Sequence, residues 1–445
     1  MTNPGNRAAA RRGHTGALVT LTAAQAAGQA GTWAGYVAAL PAALVQPHPA
    51  VALSAITAAW GIPSAAARLA GGVVDRHGPR ITGATSWAIA ALAAAVPAVA
   101  HLGMPELLAV LAVLSVGGTW GVSAGEAAPT WLPGRPDLAA AGSWLVVAGS
   151  IPLAIGPVGA TNLVTYAGDR AAWAMVAVLS AAAAICTLMV PAVQPEPPAV
   201  HDRGPKTRIP RSVWAVFAVT AGIYVTFGVI TILEPLYVRQ VLHGPFTVYG
   251  WLLAVWAVAG ILTSVVVGRW PKIATWRWAV PLAAAVVAVG EAVYVSTPWL
   301  KAAFAGAAMF GIGSALFRLS ARAVIVRAIP RSAHGRALSL WESVQCAFFV
   351  APSAATGALV TMLGLRLVLG GCCTLAGGVA GITLRARQAS IRASRPQPGI
   401  RWQTRADSPP PVIRQPPSFG QPEQVQVRSN GRVRRQRREG DKNDY

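Results

Sequence analysis

Twelve apolar runs, each near the length that crosses a bilayer, constrain this 445-residue chain more than any other feature. An α-helix rises 1.5 Å per residue, so about 20 apolar residues span the hydrocarbon core of a membrane. Six runs lie at approximately 15–42, 51–73, 81–101, 106–129, 139–166 and 171–193, and six more at approximately 212–236, 247–268, 277–297, 300–327, 335–360 and 365–385. Only 12% of the residues are charged, whereas a water-facing domain carries about 25%. Lipid offers no partner to an exposed peptide group, which leaves helices for runs of this length. The predicted fold class is an all-α membrane protein with twelve transmembrane helices in two six-helix bundles.

The expected organisation is a tail at 1–14, a first bundle at 15–193, a linker at 194–211 rich in proline and charge, and a second bundle at 212–385. Residues 386–445 carry many Pro, Gln, Arg and Ser residues with little apolar periodicity, and a disordered basic tail is expected there. Arg11 and Arg12 precede an apolar run too long for a signal-peptide core, so no cleavable leader is expected.

The formal net charge of +22 would suit a nucleic-acid ligand if it were spread over one surface. Its distribution excludes that reading. Arg76, Arg80, Arg135, Lys206, Arg211, Arg269, Lys272, Arg327 and Arg336 all fall in alternate connections, on one side of the predicted bundle. The basic side of a membrane protein faces the cytoplasm, so both termini are expected there, with the chain in the plasma membrane. A cluster at Arg432, Arg434, Arg435, Arg437 and Arg438 ends the tail. It is read either as a solvated segment that reinforces orientation or as a ligand for anionic lipid headgroups. The four cysteines, Cys186, Cys346, Cys372 and Cys373, all lie in apolar runs, which predicts packed thiols.

Between the second and third runs stand Gly71, Asp75, Arg76, Gly78 and Arg80, a short charged connection spaced Gly-x-x-x-Asp-Arg-x-Gly-x-Arg. This resembles the loop between the second and third helices of the major facilitator superfamily of transporters. The resemblance covers about residues 15–385 and implies alternating access: two bundles rock about a central site. It also implies a latch, in which Asp75 meets the start of the eleventh helix near Ser332 and Arg76 or Arg80 pairs with Glu126. In the fifth run, Gly149, Gly156, Pro157 and Gly159 partly resemble the Gly-Pro signature of the antiporter branch, although Ala160 and Thr161 stand where glycine is frequent.

Charges at membrane depth are costly and usually face a cavity or a partner. By residue count, Arg318 and Glu342 lie at matching depth on neighbouring runs, and an ion pair between them is predicted, with Arg322 one turn away. Arg68 and Glu126 form a second candidate pair. Glu234 precedes Pro235 near the outer end of its run, and Glu291 has no partner evident in sequence. Gln25 and Gln29 share a helix face with Trp33 nearby, a set suited to a neutral or amphipathic organic molecule or, equally, to hydrogen bonding between helices.

These features point to a secondary active transporter of a small organic molecule, with proton-coupled export as the leading expectation and Glu342, Glu126, Glu234 and Glu291 as candidate proton carriers. Uptake of a small metabolite or organic anion is the alternative, with Arg318 or Arg68 as counter-charge. A receptor or scaffold signalling through its tail is a third reading. No nucleotide-binding loop, nucleophile elbow or metal-ligand spacing is present in the sequence, so no enzyme activity, cofactor or metal is implied. The chain is expected to act as a monomer.

Overall fold

The computed structural model describes residues 4–65, 73–74, 76–131, 138–191, 210–329 and 334–393. Among them are thirteen α-helices and no strand. The first half comprises α1 (Pro4–Leu44), α2 (Pro49–Ala65), α3 (Pro79–Val99), α4 (Met104–Trp131), α5 (Leu138–Ala167) and α6 (Asp169–Met189). The second comprises α7 (Arg211–Gln240), α8 (Phe246–Arg269), α9 (Ala279–Ser296), α10 (Leu300–Ala328), α11 (His334–Val350), α12 (Thr356–Leu363) and α13 (Leu365–Ala393). α11 and α12 form one crossing bent by 41°. The bend falls at a short 3-10 turn, Ala351–Ala354, where Pro352 has no N–H to continue the helical ladder. Counting that pair once, the described residues form twelve helical segments, six in each half, of which eight helices, or nine with the bent pair, are long and apolar enough to cross a membrane. Helix α1 already begins at Pro4, inside the segment expected as a tail. Of the expected linker, 194–209 lie outside the described residues and α7 already begins at Arg211; α13 runs to Ala393, into the segment expected as a disordered tail from 386, and residues from 394 onward lie outside the described ones.

The two halves repeat a local device. A single glycine links the fifth and sixth crossings of each: Gly168 between α5 and α6, and Gly364 between α12 and α13. Their φ angles are 85° and 83°, a region that a side chain strongly disfavours. Each glycine reverses the chain in one residue and is followed two positions later by an arginine, Arg170 or Arg366.

Lipid tails are as apolar as leucine, so membrane helices gain from close packing more than from burial, and small residues permit it. In the first half α3 packs on α4 and α6, and α1 packs on α5 and α6. The Trp87 indole sits fully buried between Gly28 of α1 and Gly121 of α4. A Cβ at Gly28 would come within 2.5 Å of that ring. In the second half α10 packs on α8 and α9, and α13 packs on α7 and α9. Leu92, Val178 and Ile382 lie on the outside of the bundle, each about two-thirds exposed, where they meet lipid.

The halves meet unevenly. Arg76, Arg80, Arg269, Lys272 and Arg327 mark one face of the bundle, the basic face. Contacts between halves lie at the midplane and toward the opposite face. Near that face Gly357 of α12 receives Ala50 and Val51 of α2, and Gly250 of α8 lies against Pro157 and Thr161 of α5. Arg239, at the end of α7, donates to the Leu44 carbonyl at the end of α1 at 2.8 Å. The buried apolar residues divide in the same way. One cluster runs through both halves and includes Tyr36, Leu53, Ile232, Leu236 and Tyr249. Toward the basic face the clusters separate, with Phe217, Ile325 and Trp341 in one half and Leu21, Ala128 and Val190 in the other. Glu126, Arg318, Arg322 and Glu342 are exposed in this region, at the opening between the halves termed the central cavity.

Candidate functional site

At the midplane the two halves are joined through aromatic rings. Trp33 of α1 packs on Trp60 of α2 with centroids 4.9 Å apart. Trp60 meets Phe349 of α11 at 6.2 Å, and Phe349 meets Phe227 of α7 at 5.2 Å. Phe227 continues to Trp256 of α8 at 5.0 Å and to Phe310 of α10 at 5.2 Å. Edge-to-face and tilted arrangements dominate, as the ring quadrupoles favour. The result is an apolar layer crossing from one half to the other, a roof over the cavity.

Below this roof, toward the basic face, the lining becomes charged. Glu126 of α4, Arg318 and Arg322 of α10, and Glu342 of α11 are all exposed. Glu126 belongs to the first half, yet the charges within its electrostatic reach are Glu342, Arg318 and Arg322 of the second. Glu126 of the first half thus lies near three exposed charged groups of the second. Tyr224 links the two layers. Its ring packs on Phe227 at 6.0 Å, its hydroxyl donates to Gln345, and it lies within reach of Arg318 and Glu342.

A second, smaller space lies inside the second half. It has a volume of about 30 Å3 and is lined by Glu234 and Glu291 among Thr231, Tyr294, Trp256 and Phe310. That is room for one or two waters. The Tyr294 hydroxyl donates to Glu234 Oε1 at 2.9 Å. Thr226 Oγ1 lies 2.8 Å from Glu291 Oε1 and 2.9 Å from the Ile223 carbonyl. One hydroxyl hydrogen cannot serve both acceptors. Glu291 is 1% exposed, and its Oε2 has no hydrogen-bond partner. Phe227, Trp256 and Phe310 line this space and also belong to the aromatic layer.

The family model of the Major Facilitator Superfamily matches residues 216–419. The fold matches that of the nucleoside transporter NupG (D323A mutant) with a TM-score of 0.66 at 12% identity, covering 83% of this chain and 99% of that one. A POT family transporter in complex with 5-aminolevulinic acid gives 0.69 at 10% identity, covering 85% and 96%. A bacterial homologue of the human lysosomal transporter Spinster, in an inward-facing and unoccupied conformation, gives 0.65 at 12% identity, covering 84% and 97%. The sequence is thus similar to the major facilitator superfamily over less than half of its length, and its fold is shared with these transporters. No curated protein matches it by sequence. Among the described residues, eight helices, or nine with the bent pair counted as one span, are long and apolar enough to cross a membrane.

Within this fold the residues singled out in the sequence separate into three groups. Gly71, Asp75 and Arg68 lie outside the described residues, as does Ser332. Of the rest of the charged connection, Arg76 is exposed, Arg80 is half-buried, and Gly78 adopts φ 79° before α3. The Glu126 carboxylate turns into the cavity, and the charges it senses are those of the second half rather than Arg76 or Arg80. The anticipated ion pair of Arg318 with Glu342 is replaced by a looser arrangement. Both side chains are exposed in the cavity, and no direct ion pair joins them.

Gln25 is buried and donates from Nε2 to the Gly121 carbonyl of α4 at 2.9 Å. It ties two helices together away from the cavity, while Gln29 and Trp33 remain partly exposed. Gly156 lies against the Ala30 carbonyl of α1, and Pro157 lies at the α5–α8 junction between halves. Gly159 packs on Met175, and Gly149 lies within α5. The aromatic layer was not foreseen. Its residues are scattered over six helices, and apart from Trp33, singled out beside Gln25 and Gln29, each is in sequence one more apolar residue in an apolar run.

Proposed function

We propose that this transporter exports a small organic molecule across the plasma membrane by alternating access, coupled to protons moving inward. The orientation rests on the positive-inside rule: the basic face is cytoplasmic, both termini lie on that side, and the cavity is open to the cytoplasm. The bundles comprise 15–193 and 212–385, joined by the 194–211 linker, and the unit of transport is the monomer. The observation that carries this reading is the charged, aromatic-roofed cavity between the halves, closed on the opposite face by contacts of α2, α5 and α8.

Proton coupling is supported by the second half. Neither Glu234 nor Glu291 has a basic side chain among its interacting groups, and buried carboxylates without counter-charge are neutralised by protons or cations. A proton on Glu291 also completes the hydrogen bonds at Thr226, since Glu291 then donates to the hydroxyl that serves Ile223. The export direction rests on the resemblance of Gly149, Gly156, Pro157 and Gly159 to the antiporter signature. The basic tail contributes orientation and affinity for anionic headgroups.

Inside-out vesicles containing the protein test both parts. They are given an acidic lumen and a cytosolic extract of the producing cell, and mass spectrometry compares their contents with vesicles lacking the protein. Antiport predicts accumulation of at least one organic compound, lost when the pH gradient is collapsed. Depletion of a preloaded compound on acidifying the lumen indicates symport, and no change in any compound contradicts the transport reading.

A further inference from the structure

The central cavity combines two chemistries, and together they specify a class of ligand. Its roof is made of ring faces: Trp33, Trp60, Phe349 and Phe227 in continuous contact. Below the roof, Arg318 and Arg322 offer two positive charges and Glu126 and Glu342 two negative ones. The formal charges cancel. All four groups are exposed, and Glu126 has the other three within its electrostatic reach, with no direct ion pair among them.

When a cavity closes around its ligand, water leaves, and each charge without a partner bears a desolvation cost. A cationic ligand satisfies the glutamates and leaves the arginines bare; an anion does the reverse. A neutral compound satisfies neither. A ligand carrying both signs on one skeleton meets both, and a flat apolar portion fills the space against the rings. Tyr224 identifies which charges lie nearest the roof, because its ring touches Phe227 while Arg318 and Glu342 are the ionic side chains within its reach.

We propose that the transported compound is a zwitterion with a planar apolar portion, its ring packed on Trp60 and Phe349, its anionic group held by Arg318 and its cationic group by Glu342. This rests on the central cavity's being the transport site.

The test uses one skeleton in four charge states: tryptophan (zwitterion), tryptamine (cation), indole-3-propionate (anion) and 3-methylindole (neutral). Binding to the purified full-length protein in nanodiscs is read by thermal stabilisation and by microscale thermophoresis. Tryptophan is expected to bind about tenfold or more tighter than each of the other three. Arg318→Gln should abolish its advantage over tryptamine, and Glu342→Gln its advantage over indole-3-propionate. Thermal unfolding without ligand establishes that both variants are folded. Equal or tighter binding of tryptamine or indole-3-propionate overturns the proposal, as does binding by none of the four or an Arg318→Gln variant that keeps the order of affinities. Spin-label distances across the two faces separate this failure from failure of the transport reading. If only the ligand class is wrong, the two faces still open reciprocally; if the cavity is not a transport site, they do not.

Discussion

The two halves share a scaffold and differ in their chemistry. Each turns from its fifth to its sixth crossing on a single glycine at φ near 85°, and each places aromatic rings at the midplane. In the first half the described groups at depth are structural: Trp87 lies between two glycines, Gln25 holds the Gly121 carbonyl, and Tyr36 shares a hydrogen bond of 3.1 Å with Thr57. Glu126 alone brings a described carboxylate from that half to the cavity. The second half holds Arg318, Arg322 and Glu342 at the cavity and Glu234 and Glu291 behind the aromatic layer. A duplicated fold therefore need not duplicate function. One half can serve as a rigid partner while the other carries the groups that bind and respond.

That asymmetry is open to mutation. Glu291→Gln keeps the size of the side chain and removes its capacity to exchange a proton. Gradient-driven transport should fall roughly a hundredfold, equal to about 2.7 kcal/mol in the barrier, while size-exclusion behaviour stays unchanged. Wild-type rates would move the coupling site elsewhere and break the contrast between halves.

The next effect concerns the junction rather than either half. A side chain at Gly250 meets Thr161 and comes within 3.0 Å of the Pro157 carbonyl. Gly250→Val should prop α8 away from α5, lower stability by about 1–3 kcal/mol, and leave the opposite face accessible to thiol reagents when a cysteine is placed at Val45. If Val45→Cys stays equally protected in both backgrounds, the α5–α8 contact does not govern closure.

The spans and their division into two sets of six were legible in the sequence because each depends on composition over about twenty residues, a strong local signal. Counting residues placed Glu342 and Arg318 at a similar expected depth. Whether they pair could not be read in this way, because it depends on which faces α10 and α11 turn to each other and on side-chain rotamers. Glu126 was matched to Arg76 or Arg80 by the resemblance, and sequence does not show that Glu342, Arg318 and Arg322 of the second half lie within its electrostatic reach. Glu291 had no partner in sequence because Thr226 is sixty-five residues away on α7. The aromatic layer stayed hidden for the same reason, since its signal exists only after six helices are assembled.

Smaller effects sharpen the contrast from the first half. Gln25→Leu removes the bond to Gly121 and, with it, a buried Oε1 that has no partner. Stability should change by about 1 kcal/mol or less, with transport unaffected. A large loss of transport would return Gln25 to the substrate site. The smallest effect is expected at Arg239→Ala, which removes an exposed hydrogen bond to the Leu44 carbonyl. Labelling of Val45→Cys should rise slightly, and transport should remain near the wild-type rate.

Reciprocal movement of the two faces is the central claim, and double electron–electron resonance measures it directly. In a background with all four cysteines replaced, one spin-label pair sits at Arg76 and Arg327 on the basic face and another at Val45 and Leu363 on the opposite face. As the proton gradient or a bound substrate shifts the population, the first distance should shorten while the second lengthens. Distances that stay fixed, or that change in the same direction, would contradict alternating access in this protein.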